Sequence, residues 1–348
     1  MTRWLRRPIV WLPVSGALLA LVAWRSRVWE AGEILGTPDP LPLLLAVLLN
    51  GALAVLWAVR SADLLAAAGS PVPVAPLIPM TVFANTINNL TPGSAGEVLR
   101  AWMLRAHHGV PYATGAAVIV IERLVAIGYL GASAAIIWFA RPLALPGPVV
   151  VALLALLVVL PGLLYWAGLR PLAVLARLPV GAFLGAQRWA RVGDGLRRMD
   201  ATIAKLVTHP RHLGVFAVTS TLVFACYAAQ LWLVAQSVGI ALDPLLCWGA
   251  LGLSIVVGVL SLLPFGLGAA DLVLAALLTS LGVPAPAAAA IAFGYRLVST
   301  LPLGILGGIS YAWLSARLPE GGPSAAMATA RAAMAQESGA GEPAEARP

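Results

Sequence analysis

Six ionisable side chains, Glu97, Arg100, Glu122, Arg123, Asp271 and Arg296, stand in surroundings so apolar that charge there is expensive. At the centre of a bilayer each costs about 2.5–3.5 kcal/mol on an isolated helix, so such residues face a protein interior and meet partners, water or a ligand. Glu97 follows Pro92-Gly93-Ser94-Ala95-Gly96, which places it in the first turn of a helix, where the dipole favours a carboxylate. Arg100 stands at i+3. A helix N-terminus with an arginine beside it can hold an anion such as a lipid phosphate through backbone N–H groups and guanidinium. The same spacing also makes a plain i,i+3 ion pair that lets a hairpin tolerate charge. Asp271 follows Pro264-Phe265-Gly266-Leu267-Gly268, two residues later relative to its proline than Glu97 is to Pro92. Arg296 is its nearest candidate partner, as Arg123 or Arg100 is for Glu97. Asn85, Asn88 and Asn89 precede the first tip, with amides suited either to hairpin hydrogen bonding or to a headgroup. Arg105 reads as a snorkelling anchor.

The elements that carry these residues belong to a membrane protein. The chain has 348 residues, 60% hydrophobic and 10% charged, with a mean hydropathy of +0.91, which excludes an ordinary soluble domain. Apolar runs at 8–24, 41–59, 112–140, 148–169, 213–236, 245–263 and 285–313 are long enough, or nearly so, to cross. Two stretches broken by proline and glycine, 72–108 and 264–283, do not fit the plain pattern. The expectation is an all-α polytopic protein with about six full crossings and two re-entrant broken-helix hairpins. The membrane domain covers 1–317, and a tail over 318–348 without periodicity is expected to be disordered.

The two hairpins are related in sequence. Pro92, Gly96, Gly109-Val110-Pro111 and Arg123-Leu124-Val125 recur as Pro264, Gly268, Gly282-Val283-Pro284 and Arg296-Leu297-Val298. This is an internal repeat, of about 41–140 and about 213–313. If the second hairpin spans 245–283 and enters from the opposite face, the repeats are inverted and both tips lie near the midplane, the arrangement by which transporters build a site from broken helices. A full crossing at 245–263 gives parallel repeats or an extra span instead. Pro92, Gly93 and Gly96, with Pro264, Gly266 and Gly268, are the candidate hinges.

Charge orients the chain. Residues 170–212 carry eight arginines and lysines against Asp194 and Asp200, holding +6 of a net +8 and marking the cytoplasmic face. Arginines at 3, 6 and 7 put the N-terminus inside, and the run at 8–24, which lacks a small-x-small cleavage site, reads as a retained helix. Within the connector, Trp189, Val192, Leu196, Met199, Ile203 and Leu206 recur at helical spacing, an apolar face that suits either the headgroup layer with its anionic lipids or the helical bundle. Cys226 and Cys247 imply neither a disulfide nor a metal site, and the four histidines read as interfacial side chains.

In "NNLTPGSAGEVLRAWML", "VIVIERLV", "LPFGLGAAD" and "YRLV", over roughly 41–313, the sequence resembles the transmembrane region of lysylphosphatidylglycerol synthases, a family with stand-alone flippase-like and hopanoid-associated members. The resemblance places Asn89, Pro92, Gly96, Glu97, Arg100, Glu122 and Arg123 on its first motif, and Pro264, Gly266, Gly268, Asp271 and Arg296 on its second, where the family often has Glu in place of Asp271. Full synthases add a soluble aminoacyl-transferase domain after the membrane part. This chain continues into the tail instead, so aminoacyl transfer is expected to be absent. The function implied is translocation of a lipid or lipid-linked polar headgroup, anionic or phosphate-bearing, across a bacterial-type cytoplasmic membrane, with no cofactor, metal or nucleic acid. The alternatives are an intramembrane lipid-modifying enzyme and a non-transporting subunit that binds a partner.

Overall fold

Asp39 and Pro40 start the first long helix: the aspartate accepts from Leu41 N at 2.9 Å while proline fills the first helical position. Asp243 and Pro244 repeat the device, the carboxylate accepting from Leu245 N at 2.7 Å and Leu246 N at 3.2 Å. In the computed structural model, residues 20–21, 23–31, 37–91, 95–140, 167–175, 186–261, 263 and 266–316 are described, and helix is the only extended regular structure among them. The helices are α1 Pro40–Ala67, α2 Val74–Leu90, α3 Ala95–His108, α4 Tyr112–Ala140, α5 Pro171–Leu175, α6 Ala186–Thr208, α7 Pro210–Ser237, α8 Pro244–Leu260, α9 Ala269–Ser280 and α10 Ala285–Ser315. Most of the expected crossings at 8–24 and 148–169, the tail over 318–348, and the hinge residues Pro92, Gly93 and Pro264 lie outside the described residues.

Four described helices are long and apolar enough to cross a membrane: α1, α4 over Tyr112–Ile137, α7 and α10. Between them lie shorter ones. Helices α1 to α4 have 28, 17, 14 and 29 residues, and α7 to α10 have 28, 17, 12 and 31. At 1.5 Å per residue a helix of 17 residues reaches about 26 Å, short of a hydrocarbon core of about 30 Å. The Gly-Val-Pro turns that end α3 and α9 use glycine for its freedom at positive φ, 68° at Gly109 and 96° at Gly282, and their prolines cannot continue the preceding helix.

Helices α1 and α7 form the longest contact and run antiparallel. Asp39 N donates to Ser237 O at 2.7 Å, Gln230 Nε2 donates to Ala46 O at 3.0 Å, and Asp63 meets His212 at 3.0 Å. Around this pair, α2 lies antiparallel to α10, with Thr86 Oγ1 donating to Leu303 O at 3.1 Å and Phe83 against Tyr311. Helix α4 lies antiparallel to α8, where Gly249 and Gly252 admit Ile137 and Ser133. One apolar core gathers at the α1 C-terminal end, with Leu65, Met103, Ile203, Phe216 and Leu314. Another gathers at the opposite end, with Ala46, Leu231, Leu278 and Ile291.

The connector helix α6 takes its place on the first of these cores through Ile203 and Ala204, with Met199 against them, so its apolar face packs on the bundle. Arg197, Arg198 and Lys205 point away from it. Asp200 is buried and accepts from Ala173 N at 3.0 Å at the start of α5, which straps the connector together. His212 departs from the interfacial reading: its ring is held by both oxygens of Asp63, because α1 runs eight residues past Val59 and brings that carboxylate to the start of α7.

Candidate functional site

Glu97 is the third residue of α3, where a carboxylate meets free backbone donors. Asn88 of α2 accepts from Glu97 N at 3.2 Å and donates from Nδ2 to Glu97 Oε1 at 3.0 Å, a reciprocal pair that ties the two hairpin helices together. Gly96 makes the approach possible, since a Cβ there would collide with Ala84 O and come within 2.7 Å of Asn88 Oδ1. Its role is therefore close packing at the tip. Asn85 and Asn89, on the same helix, are half-buried and stay outside this network.

From Glu97 the charges run inward across three helices. Arg123 of α4 donates to Glu97 Oε1, and Arg100 Nη2 lies 3.3 Å from Glu97 Oε2. Arg100 donates to Glu122 Oε2, and Glu122 Oε1 accepts from Ser61 Oγ at 2.8 Å and lies 3.5 Å from Arg60 Nε, both on α1. Arg100 and Glu122 are only 5% and 6% exposed, whereas the Arg123 side chain is 49% exposed. Removing one partner of such a buried pair leaves an uncompensated charge at a cost of about 3–5 kcal/mol.

The second half has a smaller arrangement. Asp271 is the third residue of α9, as Glu97 is of α3, so the two-residue offset from the prolines vanishes when each acid is counted from its helix start. Asp271 Oδ2 accepts from Gly268 N at 2.9 Å, and Oδ1 accepts from Arg296 Nε at 3.0 Å and Nη2 at 2.8 Å. Asp271 is 2% exposed and the Arg296 side chain 21%. Gly266 and Gly268 have φ of 60° and 84°, a backbone other residues rarely adopt, and Gly266 also lies against Gly258, so the second tip is built on glycine conformation where the described first tip uses glycine size.

Sequence reasoning missed Arg60 and Ser61. The apolar run stops at Val59 because Arg60 interrupts it, yet the Asp39-Pro40 start and the Gly69 turn delimit a helix through both.

The chain matches the family described as the lysylphosphatidylglycerol synthase TM region over residues 9–307. It belongs to that family. A UPF0104 membrane protein of Methanothermobacter thermautotrophicus is 28% identical over 230 residues, which cover 64% of this chain and 69% of that protein. Both matches agree with an integral membrane protein, and the family's region takes in every charged residue of the two groups.

Proposed function

We propose that this member of the lysylphosphatidylglycerol synthase TM region family translocates a lipid or lipid-linked polar headgroup, with the acyl chains left in the bilayer. The observation that carries the reading is the same pair in each half: an acid at the third position of a short helix, bound to an arginine at the twelfth position of the next. Buried charge in a membrane segment is costly and marks pathways for polar cargo.

An inverted repeat is supported by three features. Helix lengths recur in the same order, the Gly-Val-Pro turns coincide, and the equivalent helices α1 and α7 are antiparallel, so the rotation that exchanges them has its axis across the helices. With the basic connector on the cytoplasmic face, α1 ends inside beside His212, the first hairpin enters from inside and the second from outside. The N-terminus is then inside. The chemistry proposed is binding and release, with no covalent step.

The test is translocation of labelled lipid in proteoliposomes by wild type and by Arg100→Ala, Arg296→Ala and Asp271→Asn. Each substitution is expected to slow transport at least about tenfold, the loss of one charge-assisted contact. Wild-type rates in all three would refute the site.

A further inference from the structure

The two halves provide a control on each other. Counted from the starts of their helices, Arg60, Arg100 and Glu122 correspond to Gln230, Leu274 and Tyr295, while Glu97 and Arg123 correspond to Asp271 and Arg296. The second half therefore builds the same frame with uncharged residues where the first buries two arginines and a glutamate. A frame does not need those charges, and buried ion pairs are commonly no more stable than apolar replacements. Their presence in one half points to a ligand.

The first group is also the richer in guanidinium groups. In the first group three guanidinium groups, of Arg60, Arg100 and Arg123, meet two carboxylates, of Glu97 and Glu122, while Asp63, one turn beyond Arg60, is held by His212. In the second group one arginine meets one aspartate. The Nε atoms of Arg60 and Arg100, and Oε2 of Glu97, are buried without a hydrogen-bond partner. Arg123 forms the exposed end of the first group.

We infer that the first half alone holds the headgroup anion, through Arg123 backed by Arg60 and Arg100, and that this cluster of guanidinium groups selects a lipid with a singly negative phosphodiester headgroup. The Asp271–Arg296 pair is a neutral strut that serves movement without reading charge. This rests on the translocation reading above and narrows its substrate.

The experiment compares acyl-chain-labelled phosphatidylglycerol with phosphatidylcholine in proteoliposomes of the full chain. Wild type is expected to move phosphatidylglycerol about tenfold faster, the scale of one charge-assisted contact. Arg123→Gln and Arg60→Gln, the latter copying Gln230, bring the two rates together. Arg123→Lys retains the preference, which separates lost charge from lost fold. Arg296→Gln slows both lipids alike and leaves their ratio unchanged. Equal rates in wild type, or a preference that survives Arg123→Gln, overturns the inference and leaves translocation standing. If wild type moves neither lipid, translocation fails, and the lipid retained by purified protein from an equal mixture decides the anion site: phosphatidylglycerol enrichment abolished by Arg123→Gln upholds it, and equal retention overturns it.

Discussion

Helices α1–α4 and α7–α10 share an order of lengths, a Gly-Val-Pro turn and an acid–arginine pair, yet only the first set carries Arg60, Arg100 and Glu122. What the sets share is a carboxylate in the first turn of a short helix and an arginine on the next helix to pair with it. What they do not share is, on the proposed reading, free to serve the cargo. The two tips also solve close approach differently. Gly96 gives up a side chain so that α2 and α3 touch, and Gly268 gives a backbone turn that other residues resist.

The largest effect belongs to Glu122→Gln, which leaves Arg60 and Arg100 buried without their carboxylate. It should cost about 3–5 kcal/mol, read as a fall in thermal unfolding midpoint in detergent. Tyr295→Phe, at the equivalent position, should cost no more than about 1 kcal/mol. Equal losses would remove the contrast between the halves. Next come the tips: Gly96→Ala should cost about 1–3 kcal/mol through collision with Ala84 O, and Gly268→Ala about 1–3 kcal/mol through backbone strain. Gly96→Ser then destabilises further because the obstacle is volume, whereas Gly268→Asn loses as much as Gly268→Ala, because φ 84° with ψ −51° lies outside the left-handed region that Asn tolerates. Asp63→Asn, which weakens the partly exposed pair with His212, should cost up to about 1 kcal/mol. Arg197→Gln, at the exposed pair with Asp194 on α6, should leave the midpoint unchanged.

Much of this was legible because a bilayer permits so few arrangements. Long apolar runs announced α1, α4, α7 and α10, and repeated Pro, Gly-Val-Pro and Arg-Leu-Val residues brought the hairpins into register. The partnership of Asp271 with Arg296 followed from the scarcity of buried cations. Arg60 was hidden because a hydropathy run ends at the first charge, while a helix ends at its cap. The meeting of Asp63 with His212 was hidden for another reason: it depends on α1 and α7 being antiparallel, which no local pattern encodes. Connector periodicity marked an apolar face at Met199 and Ile203 but did not name its partner, because lipid and protein satisfy such a face equally well.

A two-sided site requires the halves to enter the membrane from opposite faces. Pro71 and Ala241 are exposed in the equivalent turns after α1 and α7. The direct measurement places single cysteines there, as Pro71→Cys and Ala241→Cys with Cys226 and Cys247 replaced by alanine, and labels sealed vesicles of known orientation with a membrane-impermeant thiol reagent. Labelling of position 71 from the cytoplasmic side and of position 241 from the opposite side is the predicted result. Labelling of both from one side would contradict the inverted arrangement and the translocation site built on it.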